Sequence, residues 1–317
     1  MTQTCESVVR SYRAFARGEA HGRSAAYEAL AESVAGDPDI VRFVASLPPA
    51  KHQPNLLFAA ARYLLGEPAV IGSLRDLVGG SGAELTEVML ARRTQTNEPA
   101  RCAVLLPALA QLPEPLALVD VGASAGLTML FDRYSYDYAG HRLTGTDPDA
   151  PTLRCQPEGP VPLPERIPAI AWRAGLDLNP LDVTSDDDVR WLTSLVWPGE
   201  GDRAERLAAA IRCARREPPV VMKADLLSGL PDLVARAPSE ATVVVYHSSV
   251  LCYVTPEQRE QFAATVRGLG VTWLTSEAPG VVPGTAGPVL DEQMTVVARD
   301  GRPLAWGDSH GTRLRWL

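Results

Sequence analysis

The chain has 317 residues, 46% of them hydrophobic and 21% charged, with a formal net charge of −8. This is ordinary globular composition, sufficient for one large core, and its acidic balance argues against a nucleic-acid partner, which needs Lys and Arg to neutralise phosphates. No stretch approaches the roughly 18 apolar residues of a membrane span, and residues 1–7 lack a basic region ahead of an apolar core, so no membrane partner and a cytoplasmic location are expected.

Residues 1–112 read as helical, with no convincing strand. Phe15, Leu30, Val34, Ile40, Phe43, Val44 and Leu47 recur at spacings near three and four, and Gly36-Asp-Pro38 and Leu47-Pro-Pro49 are stop signals. Leu56-Leu-Phe-Ala-Ala-Ala-Arg-Tyr63-Leu-Leu65 is apolar nearly all round, which predicts a helix buried on several sides. Two polar clusters each open an apolar helix: His52-Gln53-Pro54-Asn55, and Thr94-Gln95-Thr96-Asn97-Glu98-Pro99. Asn55 and Asn97 suit N-caps, and Glu98 suits the positive helix end. Side chains beside N-caps are held rigidly, so Asn97, Glu98 and Arg101 are candidate substrate contacts, Arg101 through bidentate bonds to an anionic group. Pro113-Glu-Pro115 is a hard break. The domain boundary is placed there, with a helical cap region over 1–112 and an α/β domain over 113–317.

Leu116-Ala-Leu-Val-Asp120-Val suits a buried parallel strand, and it breaks into the small residues Gly122-Ala123-Ser124-Ala-Gly126. Leu127, Leu130 and Phe131 then resume at helical spacing, which predicts strand, tight turn, helix. Small side chains let backbone N–H groups approach a ligand, and a helix start supplies free donors and a positive dipole end. Asp120-x-Gly122-x-x-x-Gly126 resembles the first motif of class I S-adenosylmethionine-dependent methyltransferases. Gly122-Ala-Ser124-Ala-Gly126 also reads as G-x-S-x-G, the nucleophile elbow of α/β-hydrolases, and a glycine turn without a ligand is the plain alternative.

Tyr134, Tyr136 and Tyr138 alternate as in a strand, and residues 139–166, rich in Gly, Pro and Asp, look like an excursion from the core. Ile167-Pro-Ala-Ile-Ala-Trp-Arg173 resumes the sheet and runs to Asp177. That acid is similar to the methyltransferase residue that holds the ribose diol, with Asp137 as its rival if the Tyr136 strand comes second. Val220-Val-Met-Lys-Ala-Asp225-Leu226 resembles the adenine-contacting position of the same family, an Asp that caps a helix being the alternative. Ala241-Thr-Val-Val-Val-Tyr246-His247 is a strong strand with His247 at its carboxyl end, where open α/β sheets bind ligands. His247 is the candidate general base, and Tyr253 lies just beyond it. Val271 to Glu277 is a further strand, and Asp300-Gly301 between two extended runs signals a hairpin.

Residues 94–106, 119–138, 172–182, 241–256 and 301–317 resemble a domain-of-unknown-function family of bacteria, mainly actinobacteria. That resemblance implies a methyltransferase-like fold and no substrate. The expected architecture is a Rossmann-like methyltransferase sheet of seven strands, mostly parallel, with an antiparallel edge hairpin. The expected function is S-adenosylmethionine-dependent methyl transfer to a hydroxyl, carboxyl or amine of a small molecule. Asp120, Gly122, Ala123, Ser124, Gly126, Asp177, Asp225 and Leu226 would contact the cofactor, and His247 and Tyr253 would serve the chemistry. The alternatives are a serine hydrolase, with Ser124, His310 and either Asp225 or Asp291 in chain order, and a non-catalytic nucleoside- or cofactor-binding protein. Cys5, Cys102, Cys155, Cys213 and Cys252 are scattered and odd in number, so neither disulfides nor a metal site is expected. The sequence leaves the oligomeric state open.

Overall fold

A computed structural model describes residues 3–80, 82–95, 97–285 and 294–317. The chain divides into two compact units, one of residues 1–96 and 185–205, the other of residues 97–184 and 206–317. It crosses from the first to the second within the helix Gly201–Arg216. No helix among the described residues is long and apolar enough to cross a membrane.

The first unit is helical. Asp37 accepts hydrogen bonds from the N–H groups of Asp39 and Ile40, with Pro38 at the first helical position, so Gly36-Asp-Pro38 ends one helix and starts Pro38–Ser46. Helix Pro54–Leu65 buries Leu56 through Ala61 on all sides and stops at Gly66, whose φ of 79° permits the left-handed end. Its N-cap is Gln53 rather than Asn55, because Pro54 takes the first helical position and moves the start two residues back. Residues 185–205 join this unit through helix Asp186–Ser194: Arg92 pairs with Asp188 at 2.6 Å, and the Trp191 indole donates to the Arg93 carbonyl at 3.1 Å.

Among its described residues the second unit holds twelve strands: Leu116–Val121 (β1), Ser135–Tyr138 (β2), His141–Leu143 (β3), Thr152–Arg154 (β4), Gln156–Glu158 (β5), Ile170–Asp177 (β6), Val221–Lys223 (β7), Thr242–Ser248 (β8), Thr272–Glu277 (β9), Met294–Arg299 (β10), Arg302–Asp308 (β11) and Arg313–Trp316 (β12). Nine form one sheet in the order β5-β12-β11-β10-β9-β8-β1-β6-β7, and three form a small sheet, β3-β2-β4. β7, β6, β1, β8 and β9 run parallel, β10, β11 and β12 alternate in direction, and β5 lies parallel to β12. All six residues of β1 are buried, as a strand covered on both faces requires.

This arrangement corrects the expected fold. The sheet is mixed and nine-stranded, with a strand order unlike a seven-stranded Rossmann-like methyltransferase. The Asp300-Gly301 hairpin does not form its edge, because β12 and β5 extend the sheet beyond it. Nor does a helix follow the glycine turn: Leu127–Met129 is a single 3₁₀ turn, and the path to β6 runs through the small sheet. The carbonyls a helix would use are engaged from elsewhere. Tyr134, Tyr246 and Tyr136 hydroxyls donate to the carbonyls of Leu127, Thr128 and Phe131, and Arg173 donates to that of Met129. Four tertiary donors outweigh the helical spacing of Leu127, Leu130 and Phe131.

Candidate functional site

β1 builds the centre of the site. The chain leaves it to make β6 and β7 on one side and returns to make β8 and β9 on the other, so strand order reverses between β1 and β8. Ligands of open α/β sheets bind outside the carboxyl ends at such a point.

The glycine turn there is closed by the protein itself. Gly122 and Ala123 N–H donate to the Leu176 carbonyl (2.8 and 3.1 Å), and Gly126 N–H donates to the Ala123 carbonyl (2.7 Å). Ser124 N–H donates to Asp177 Oδ2 (2.8 Å), and Ala125 N–H to Asn97 Oδ1 (3.2 Å). Every N–H from 122 to 126 is engaged. The space above the glycines is filled as well: a Cβ at Gly122 would stand 2.5 Å from Val250 Cγ2, and one at Gly126 2.5 Å from Pro219 Cβ. With φ of 75° at Gly122, Gly122→Ala adds left-handed strain to a clash and should cost about 2–3 kcal/mol. Thermal unfolding of that variant, alone and with Val250→Ala, checks this; the second change should recover the clash but not the strain.

The residues named from sequence gather in part. Asn97 bonds Ser124 Oγ through its Nδ2 and the Ala125 N–H through its Oδ1, which replaces the expected N-cap; helix Arg101–Leu109 starts with Ala100 as N-cap and no side-chain cap. Glu98, fully buried, accepts two bonds from Arg206 (2.6 and 3.0 Å) and one from Ala100 N–H. Arg101 is buried and donates to the carbonyls of Ser248 (2.9 Å) and Ser309 (3.0 Å), tying the end of β8 to the loop after β11. Asp177 holds the turn: besides Ser124 N–H it accepts Asn179 N–H on Oδ1 at 2.7 Å. Asp137 closes its own hairpin by accepting Gly140 N–H and pairing with Arg142.

Asp120 is buried and accepts the Thr128 hydroxyl at 2.5 Å. Burial lifts its pKa from 3.8 to about 7; hydrogen bonds from Thr128 and Tyr246 and the charge of Arg101 pull it back, while the charge of Asp177 adds to the rise. Asp225 is the N-cap of helix Leu226–Val234, accepting Leu227 N–H at 2.8 Å, and Leu226 lies in the core. His247 is fully buried with both ring nitrogens engaged, Nδ1 on Glu277 Oε1 at 2.7 Å and Nε2 accepting the Trp273 indole N–H at 3.0 Å. Tyr253 is 77% exposed.

Sequence reasoning passed over Glu277. Its Oε1 also accepts the N–H groups of Val250 (2.7 Å) and Leu251 (3.1 Å), so it fixes the loop that lays Val250 on Gly122. An acid ending the apolar run of β9 was the available signal.

These contacts overturn S-adenosylmethionine binding and methyl transfer. The fold lacks the topology, and the turn has no free donor and no open glycine face. The hydrolase alternative fails in the same place: Ser124 Oγ is bonded by Asn97, no described histidine bonds it, and no N–H of the turn is left for an oxyanion. Asp291 lies outside the described residues. A cleft of about 340 Å³ lies apart from the turn, lined by Leu130, Arg133, Asp147, Cys213, Arg216 and Glu217 among others, and its charges are paired, Arg216 with Asp147 and Arg133 with Glu217.

No curated protein and no solved structure matches the chain. Residues 9–316 match the model of a family described as "uncharacterized protein conserved in bacteria", DUF2332, and the chain belongs to that family.

Proposed function

We propose that the chain binds a small hydrogen-bond-donating molecule, a polyol or an amine, outside the carboxyl ends of β1 and β8, contacted by Asp177, Ser249 and Tyr253. One observation carries this reading: Ser124, in the turn after β1, and Ser249, just past β8, both have left-handed backbones, φ 52° and 56°. That conformation costs a non-glycine residue about 1–2 kcal/mol and collects at ligand sites. The other two such residues among those described, Ala139 and Asp300, precede Gly140 and Gly301 in hairpin turns, where the turn itself demands it.

Ligand chemistry follows from what the turn leaves over. Its N–H groups are all engaged, which disfavours phosphates and carboxylates. Acceptors remain: a carboxylate has about four lone-pair positions, of which Asp177 uses two, and Ser249 offers a hydroxyl. The exposed Tyr253 ring supplies an apolar face for C–H groups. Asn97 and Arg101 act as positioning residues, the first through Ser124 and the second through the Ser248 carbonyl.

Thermal unfolding against panels of polyols, amines, phosphates and carboxylates tests this. A binder at a hundredfold excess over its Kd should add about 2.7 kcal/mol to stability. Tyr253→Ala should weaken binding at least tenfold with unchanged stability, and Ser249→Gly should weaken it while stability holds or rises. Stabilisation by phosphates or carboxylates and by no polyol or amine would overturn the reading.

A further inference from the structure

The sheet face that carries the His247–Glu277 pair holds further polar atoms, His247 being directly paired with Thr275. Glu277 is directly paired with Val296, and Val296 with Trp306, so these residues form one row across β9, β10 and β11. Directly paired residues of antiparallel strands share a face, and residues two apart along a strand do too. Glu277, Trp306 and Thr275 therefore stand on the same face. All three are buried, with exposures of 1%, 0% and 1%, and Glu277 Oε2, Trp306 Nε1 and Thr275 Oγ1 have no hydrogen-bond partner among the described residues. The residue between the row's two ends is Val296, and Met294 and Ala298 flank it, so nothing polar on β10 serves them from this face.

A buried donor or acceptor without a partner is costly and rare. Here two acceptor-capable oxygens and one donor nitrogen share one face, with Glu277 and Trp306 on either side of Val296. We infer that Glu277 Oε2, Thr275 Oγ1 and Trp306 Nε1–H form an enclosed site for hydroxyl groups, which donate to the carboxylate and accept from the indole across Val296. Glu277 then has two jobs: Oε1 holds His247 and the Val250 loop, and Oε2 faces the hydroxyl. The hydroxyl is that of water or of a small alcohol, and the site is independent of the polyol or amine reading above, whose residues lie at the ends of β6 and β8.

Thr275→Val nearly keeps the side-chain volume and deletes the hydroxyl. A bound hydroxyl group held by Thr275 Oγ1 predicts that this variant lowers the folding equilibrium constant about tenfold; a Thr275 hydroxyl buried dry predicts that it raises it. A high-resolution crystal structure of the full chain gives a second reading. Density for an oxygen within hydrogen-bond distance of Trp306 Nε1 and connected to Glu277 Oε2 supports the site. An apolar void, or a direct Trp306–Glu277 bond, overturns it. Native mass spectrometry separates the sources, since a retained alcohol adds its mass and water leaves the folded ion at the chain mass.

Discussion

Glu277→Ala is expected to destabilise the α/β unit by about 3–5 kcal/mol, the size expected when several buried hydrogen-bond donors lose their acceptor at once. One oxygen, Oε1, accepts from His247 Nδ1, Val250 N–H and Leu251 N–H, all on a side chain 1% exposed. Alanine leaves the three donors in a low-dielectric interior, where each unpaired group costs about 1–3 kcal/mol. It also leaves a cavity beside Phe262 and Trp273, whose rings pack on His247 at centroid distances of 5.6 and 5.9 Å. Glu277→Gln keeps an amide oxygen where Oε1 stands and should lose about 1–2 kcal/mol, the difference between charged and neutral acceptors. Urea midpoints at constant m separate the two variants. Equal losses would mean that the charge, and not the acceptor, holds the loop. A loss below about 1 kcal/mol for Glu277→Ala would mean that the loop finds other acceptors.

The same loop shows why the turn after β1 was legible as backbone and misleading as chemistry. Six buried residues and five small ones specify a strand and a tight turn from local sequence alone. What the turn does depends on Val250, Pro219, Asn97 and Asp177, which approach from other segments and close it. Glycine here permits φ of 75° and 74° and close approach, and the approaching group is the protein's own side chain. The missing helix has the same origin: the spacing of Leu127, Leu130 and Phe131 is helical, yet the donors that claim the intervening carbonyls include Arg173 and Tyr246, far along the chain. Strand order was hidden for another reason. β5 is three residues, Gln156–Glu158, inside a stretch rich in Gly and Pro, and only its pairing with β12 makes it part of the sheet. Acids at the ends of β6 and β9 were placed by sequence, but an acid that accepts from a ligand and one that accepts from a backbone N–H look alike there. Asp177 and Glu277 are both of the second kind on the oxygens described above.

Asp120 provides the other large effect, and its sign is opposite to that of an ion-paired carboxylate. Burial raises its folded pKa to about 7 from the 3.8 of an exposed aspartate. Between these values the folded chain holds a proton that the unfolded chain has released, so stability falls with rising pH. The contribution is complete below about pH 4 and is lost as pH rises through about 7, for a total near 4 kcal/mol at 1.36 kcal/mol per pKa unit. Asp120→Asn has nothing to ionise, and its Oδ1 can still accept the Thr128 hydroxyl. The variant should therefore match the parent within about 1 kcal/mol at pH 4 and exceed it by several at pH 8. Other titrating groups are common to both chains and cancel in the difference unless they couple to Asp120, which Asp177 and Arg101 do weakly compared with burial. Urea midpoints of the two chains from pH 4 to pH 8 should diverge steadily up to about pH 7 and run parallel above it. Parallel curves across the whole range would show that the folded chain already carries Asp120 as the carboxylate, held by Thr128, Tyr246 and Arg101 against its burial.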